Sequence, residues 1–198
     1  SMEFDAHIIA ASPGFSTVDD AVVGFTDGHA ANSEDNLNVT LSYIADDENG
    51  FTMPDSTFRM MYDFYSTNFG RTDMIFPLLG ESGKGVIRYA NYDDLFTSLI
   101  VGMDVDQGGL CARIPFSLTV RVGEALERML NDWQNGKDWE KVEVRGLEDG
   151  GAEIVFNETF GKYLNVWDDR YSNPDIFKNY YDRYYGEAIK MERQHESE

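Results

Sequence analysis

Residues 110–122, LCARIPFSLTVRV, place Leu110, Ala112, Ile114, Phe116, Leu118, Val120 and Val122 at alternate positions, with Cys111, Arg113, Pro115, Ser117, Thr119 and Arg121 between them. A period of two sustained over thirteen residues predicts a half-buried strand, one face on a core and one toward water. Pro115 has no N–H to give to a ladder, so this strand is expected to have an exposed edge or a bulge there.

Other segments add to a β-rich reading. Residues 21–26, AVVGFT, read as a strand closed by the Asp27-Gly28 turn signal. Leu37, Val39, Leu41 and Tyr43 alternate with polar neighbours and predict a second strand. Residues 72–79, 85–90 (GVIRYA) and 95–103 are further strand candidates, with Gly80–Gly83 as a hairpin turn. One helix interrupts them. Pro54 and Asp55 start it, and Phe58, Met61, Tyr62 and Tyr65 share its apolar face. Gly70 is placed to close it in the left-handed conformation.

The pattern changes after Gly123. Leu126, Met129, Leu130 and Trp133 predict a helix over 124–134 that stops near Gly136. Residues 140–145 and 152–157 alternate around a glycine turn and predict a hairpin. Asn173-Pro174 opens a last helix with Ile176, Tyr180, Tyr184 and Ala188 in one row. The expected fold is α+β and mainly β. Residues 1–123 form a small barrel or sandwich-like domain with one packed helix, and 124–198 a helix–hairpin–helix α/β appendage.

Sixteen Lys and Arg stand against 36 Asp and Glu, a net charge of −20. Such a chain repels nucleic-acid phosphate and anionic membrane, so neither is an expected partner. The same charge suits high solubility, a basic protein partner, or a passage that DNA slides through. Cys111 is the single cysteine, which excludes an internal disulfide and a cysteine-based zinc site. No basic start followed by an apolar run marks a leader, so a protein that is soluble and intracellular, or soluble after assembly, is expected.

Catalytic signatures are weak. Asp104-Val-Asp106-Gln-Gly108 begins like a calcium loop, but the twelfth position is Pro115. Whether Asp104 and Asp106 bind a metal stays open. His7, His29 and His195 have no matching ligand spacing. No nucleophile motif surrounds Cys111. The many paired carboxylates lack the apolar surroundings that tune a general acid. Gly80–Gly85 lacks the phosphate-loop register. No enzyme activity and no cofactor is expected.

The order "VVGFTDGH" (22–29), "LNVTLSY" (37–43), "FRMMYDFYSTNFGRTDMIFPL" (58–78), "GVIRYA" (85–90) and "ARIPFSLTV" (112–120) resembles the phage minor tail protein M and distal tail protein group. The resemblance covers residues 21–122. Asp27-Gly28-His29 stands for that group's Asp-Gly-Tyr turn. It implies a structural virion protein at the tail tip, assembled as a ring with its own copies and other tail proteins, with an acidic lumen for DNA passage. The virion, assembled in the host cytoplasm, would then be its location. Phe69 and Arg71 become candidate interface residues, and Tyr180 and Tyr184, beyond the resemblance, join them because tyrosines favour interfaces, with packing on the chain's own sheet as the alternative. The alternative from charge alone is an acidic inhibitor of a basic partner: a DNA mimic, an antidefence protein or an immunity protein.

Overall fold

The computed structural model describes residues 3–32, 36–67, 72–137, 145–157 and 174–195. Its centre is the strand β1 (Glu3–Ala10), in which Ile8, Ile9 and Ala10 are wholly buried. Burying both faces of a strand requires helices above and below it, which is the signature of a parallel sheet. The chain supplies them. Helix α1 (Ser16–Asn32) leads to β2 (Asn36–Tyr43), and α2 (Pro54–Thr67) leads to β3 (Met74–Leu78). Helix α3 (Lys84–Tyr92) leads to β4 (Leu99–Asp104), followed by β5 (Phe116–Val120), α4 (Val122–Gln134), β6 (Ala152–Phe156) and α5 (Pro174–His195). Short 3-10 turns at Glu48–Thr52 and Gly80–Gly83 precede α2 and α3.

The sheet order is β2-β1-β3-β4-β5-β6. β1 to β5 pair in parallel, and β6 joins β5 antiparallel. The chain steps from β1 to β2 on one side, then passes back over β1 to β3 on the other. Right-handed crossovers in opposite directions place their helices on opposite faces. The two buried clusters follow that rule. Ile8, Ala10, Phe76, Leu78 and Val101 meet Val18, Val22 and Phe25 of α1. Ile9, Ile75 and Ile100 meet Met61 and Tyr65 of α2 and Val86 and Tyr89 of α3. No helix among the described residues is long and apolar enough to cross a membrane.

This architecture replaces the expected mainly-β barrel or sandwich. Residues 21–26 and 85–90 are not strands but lie inside α1 and α3. Apolar residues of these helices pack at helical spacing, Val18–Val22–Phe25 and Val86–Tyr89, because each crossover must cover the sheet. The alternation over 110–122 also ends short. Only Phe116–Val120 pairs in the sheet. Cys111, Ile114 and Pro115 are buried in the irregular connection ahead of it, so the period of two there is accidental.

Several expectations match the structure: a strand at β2, the helix beginning at Pro54, the strand at β3, and helices at α4 and α5. Gly70 and residues 140–144 lie outside the described residues. β6, expected as half of a hairpin, pairs with β5. The expected boundary at 123/124 falls inside α4, and β6 comes from beyond it into the same sheet.

Candidate functional site

In an open parallel sheet the crevice lies at the carboxyl ends of the strands, where neighbouring crossovers run opposite ways. Here that place is between β1 and β3. The chain continues pairing past the strands. Ala11 N–H donates to Leu78 O at 3.0 Å, and Ile44 and Ala45 N–H donate to Ala10 O and Ala11 O. Three connections then lock together. Ser12 Oγ donates to the Asp47 carbonyl, and the Asp47 carboxylate caps the turn by accepting from Asn49 N–H at 3.0 Å. Ser82 Oγ donates to Gly50 O at 2.6 Å and accepts from Met53 N–H at 2.6 Å. Over this floor Phe15 and Phe51 meet edge to face, with ring centroids 5.1 Å apart. Edge-to-face pairs of this kind hold their rings in a fixed orientation.

The same edge continues across β4, β5 and β6. Asp104, the last residue of β4, is the only non-glycine residue at positive φ among the described residues, at 70°. Left-handed backbone outside glycine costs on the order of 1 kcal/mol, a local strain of the kind that gathers at binding sites. Asp104, Val105 and Asp106 are exposed. Behind them Gln107 anchors the turn. Its N–H donates to Ser117 Oγ at 3.0 Å, and its Oε1 accepts from Met103 N–H at 3.3 Å. At the end of β5 the Arg121 guanidinium donates to Glu124 at 3.0 Å and to Glu153 at 2.5 Å. Glu153, then Glu124, strengthen its hold on its proton. Because β6 is antiparallel, its first residues bring Glu153 to this edge.

The edge therefore combines an ordered aromatic pair, exposed carboxylate acceptors and a charge-fixed guanidinium donor. Planar donors and carboxylates suit vicinal hydroxyls, and aromatic rings suit the apolar faces of sugar-like rings. No group of three or more His, Cys, Asp and Glu positioned to hold a metal occurs among the described residues.

The residues expected from sequence lie elsewhere. Phe69 and Arg71 are outside the described residues. Tyr180 falls in α5, with its side chain outside the description. Tyr184 is half-buried, with the Arg183 guanidinium 5.6 Å from its ring centroid. Its neighbours Tyr181 and Tyr185 pack inward, Tyr181 against Phe156 and Tyr185 through a hydroxyl bond to Leu147 O. Phe15, Arg121 and Glu153 carry no signal in the sequence, and Asp104 stands out there only as the start of the calcium-loop-like turn Asp104–Gly108.

No family model and no curated protein matches this sequence. Solved structures do. A carbohydrate transporter solute-binding protein from Agrobacterium radiobacter, in complex with D-arabinose, is 21% identical with a TM-score of 0.55, over 78% of this chain and 51% of its own. An ABC transporter solute-binding protein from Bacillus halodurans C-125, with bound myo-inositol, is 16% identical with a TM-score of 0.54, over 81% and 54%. A transcriptional activator of the comK gene from Bacillus halodurans is 18% identical with a TM-score of 0.57, over 79% and 50%. The chain shares the α/β fold of the solute-binding proteins. It spans about half the length of the structures it matches.

That fold overturns the resemblance to phage tail proteins, which needed strands at 22–26 and 85–90 where helices stand. The tail-tip role, the ring of copies with other tail proteins, and the virion location fall with it. The acidic-inhibitor alternative rested on charge alone, and the matches to solute-binding proteins give it no counterpart.

Proposed function

We propose that the carboxyl edge of this sheet is one wall of a binding site for a small polyhydroxylated ligand, of the sugar or cyclic polyol class, held without chemical change. The observation that carries the reading is the placement of Phe15–Phe51, Asp104 and the Arg121–Glu153 pair along one carboxyl edge of the sheet, the edge where this topology opens its crevice. The ligands named with the matched structures, D-arabinose and myo-inositol, belong to that class. The matched proteins are about twice as long, so a facing wall and any transport step belong to a larger assembly. A location outside the cytoplasm accompanies this reading.

The test is thermal unfolding of the chain against a panel of pentoses, hexoses and cyclitols. Binding to the native state alone raises Tm with the logarithm of ligand excess over Kd, so millimolar ligand should shift Tm by several degrees for at least one member. Arg121→Ala should remove the shift while changing the unliganded Tm little, because its pair with Glu124 is exposed and its pair with Glu153 is only half-buried. A panel without a single saturable shift rejects the reading.

A further inference from the structure

One buried titratable group lies outside the candidate site. His7 sits in the middle of β1, 1% exposed, between Thr40 of β2 and Ile75 of β3. Its Nε2 bonds Ser42 Oγ at 3.0 Å, and its ring lies 4.4 Å from that of Phe64 on α2, centroid to centroid. Its Nδ1 is buried with no hydrogen-bond partner. A buried N–H without an acceptor is rarer and costlier than a bare lone pair. The neutral ring therefore carries its proton on Nε2 and donates to Ser42.

We propose that His7 is an acid-sensitive latch: neutral, it holds edge strand β2 and helix α2 onto β1, and protonated, it lets that corner open. Protonation adds an Nδ1–H that has no acceptor and puts a charge between a phenyl ring and the sheet. The surrounding groups do not offset it. On β1, Asp5 accepts from Asn38 Nδ2 at 2.9 Å, and ahead of β3, Asp73 accepts from Asp5 N–H at 2.9 Å. On α2, Arg59 and Asp63 are exposed, and the Tyr65 hydroxyl bonds Ser98 at 2.7 Å. The facing positions of β2 are Asn38, Thr40 and Ser42, which do not titrate. Burial accordingly lowers the His7 pKa to about 4.

β2 is the weak member to release, since among the described residues it has a neighbouring strand on one side only. Its loss reaches the carboxyl edge, because the segment after it carries Asp47 and Gly50, which bond Ser12 and Ser82. The latch is a property of the corner itself and holds whatever ligand that edge takes.

Hydrogen exchange of the unliganded protein, corrected for intrinsic rates, reads the latch directly. A ring with pKa near 6.5 when open and about 4 when closed raises the opening constant roughly 20-fold from pH 7 to pH 5. Amides of 36–52 and 60–67 should show this rise, and those of 116–120 should not. His7→Phe should abolish it. A wild-type corner equally protected at both pH values, or a His7→Phe corner with the same rise, overturns the proposal. If His7→Phe does not fold, ring nitrogen NMR of wild-type His7 decides. Opening that tracks His7 protonation supports the latch. His7 protonating near pH 6.5 with the corner closed, or a corner opening while His7 stays neutral, overturns it.

Discussion

Gly50 packs so tightly against Ala11 that a Cβ on Gly50 would overlap the Ala11 carbonyl oxygen and come within 2.8 Å of Ser12 Oγ. The Ala11 oxygen is itself bonded to Ala45 N–H, so it cannot retreat without breaking the β1–β2 continuation. Gly50→Ala should therefore cost about 3 kcal/mol, the upper range for forcing an atom into a packed interior. Denaturant unfolding measures it. The same variant should weaken ligand binding at the carboxyl edge, because Ser12, Asp47 and Ser82 all anchor to this turn.

Asp104 gives the opposite balance. Its left-handed backbone suits glycine better than aspartate, by roughly 1 kcal/mol, and a glycine's extra unfolded entropy offsets much of that gain. Asp104→Gly should leave unfolding free energy within about 0.5 kcal/mol of wild type. It should nevertheless lower ligand affinity at least about tenfold, since a carboxylate acceptor at the edge is gone. Calorimetric titration beside denaturant unfolding separates the two effects. A variant that loses stability and affinity together would make Asp104 a fold residue only.

Legibility in the sequence followed burial geometry. Helices α2 and α4 show one apolar face each, and β2, an edge strand, alternates. α2 and β2 are half-buried elements whose periods survive in the residues, whereas the period of α4 is read from an exposed stripe. β1 carries Asp5 and His7 beside Ile8, Ile9 and Ala10, so neither alternation nor an unbroken apolar run announces it. A strand covered on both faces has no period to read. In α1 the pair Val22-Val23 and the Asp27-Gly28 step imitate a strand and its turn, although both lie within one helix. The candidate site was the least legible part. Phe15, Asp104, Arg121 and Glu153 are spread over 139 positions of chain, 15 to 153 counted inclusively, and only the strand order brings them to one edge.

His7 also sets a global pH dependence. Its native pKa of about 4 lies below the unfolded value near 6.5, so the unfolded state binds the proton first as pH falls. The His7 contribution is complete above pH 6.5, declines from there toward pH 4, and is constant below. The full difference is about 3 kcal/mol. Carboxylate protonation works against it by relieving repulsion in a chain of net charge −20. The wild-type curve alone mixes the two. Denaturant unfolding of wild type and His7→Phe at pH 7 and pH 5 isolates the histidine, and wild type should lose more than the variant by about 2 kcal/mol.

Helix α4 presents Val122, Leu126, Leu130 and Trp133 at spacings of four, four and three, and none of its residues is buried. Trp133 is 64% exposed and Leu126 55%. An apolar stripe normally finds another element to cover it. Where it has none, its removal costs the fold almost nothing. Leu126→Ser with Leu130→Ser should therefore change unfolding free energy by less than about 1 kcal/mol, the two small helix-propensity losses included. The paired control is Ile9→Ala, where a wholly buried side chain is truncated and about 3 to 4 kcal/mol should be lost. Comparable losses in the two variants would mean that the α4 stripe is covered in solution.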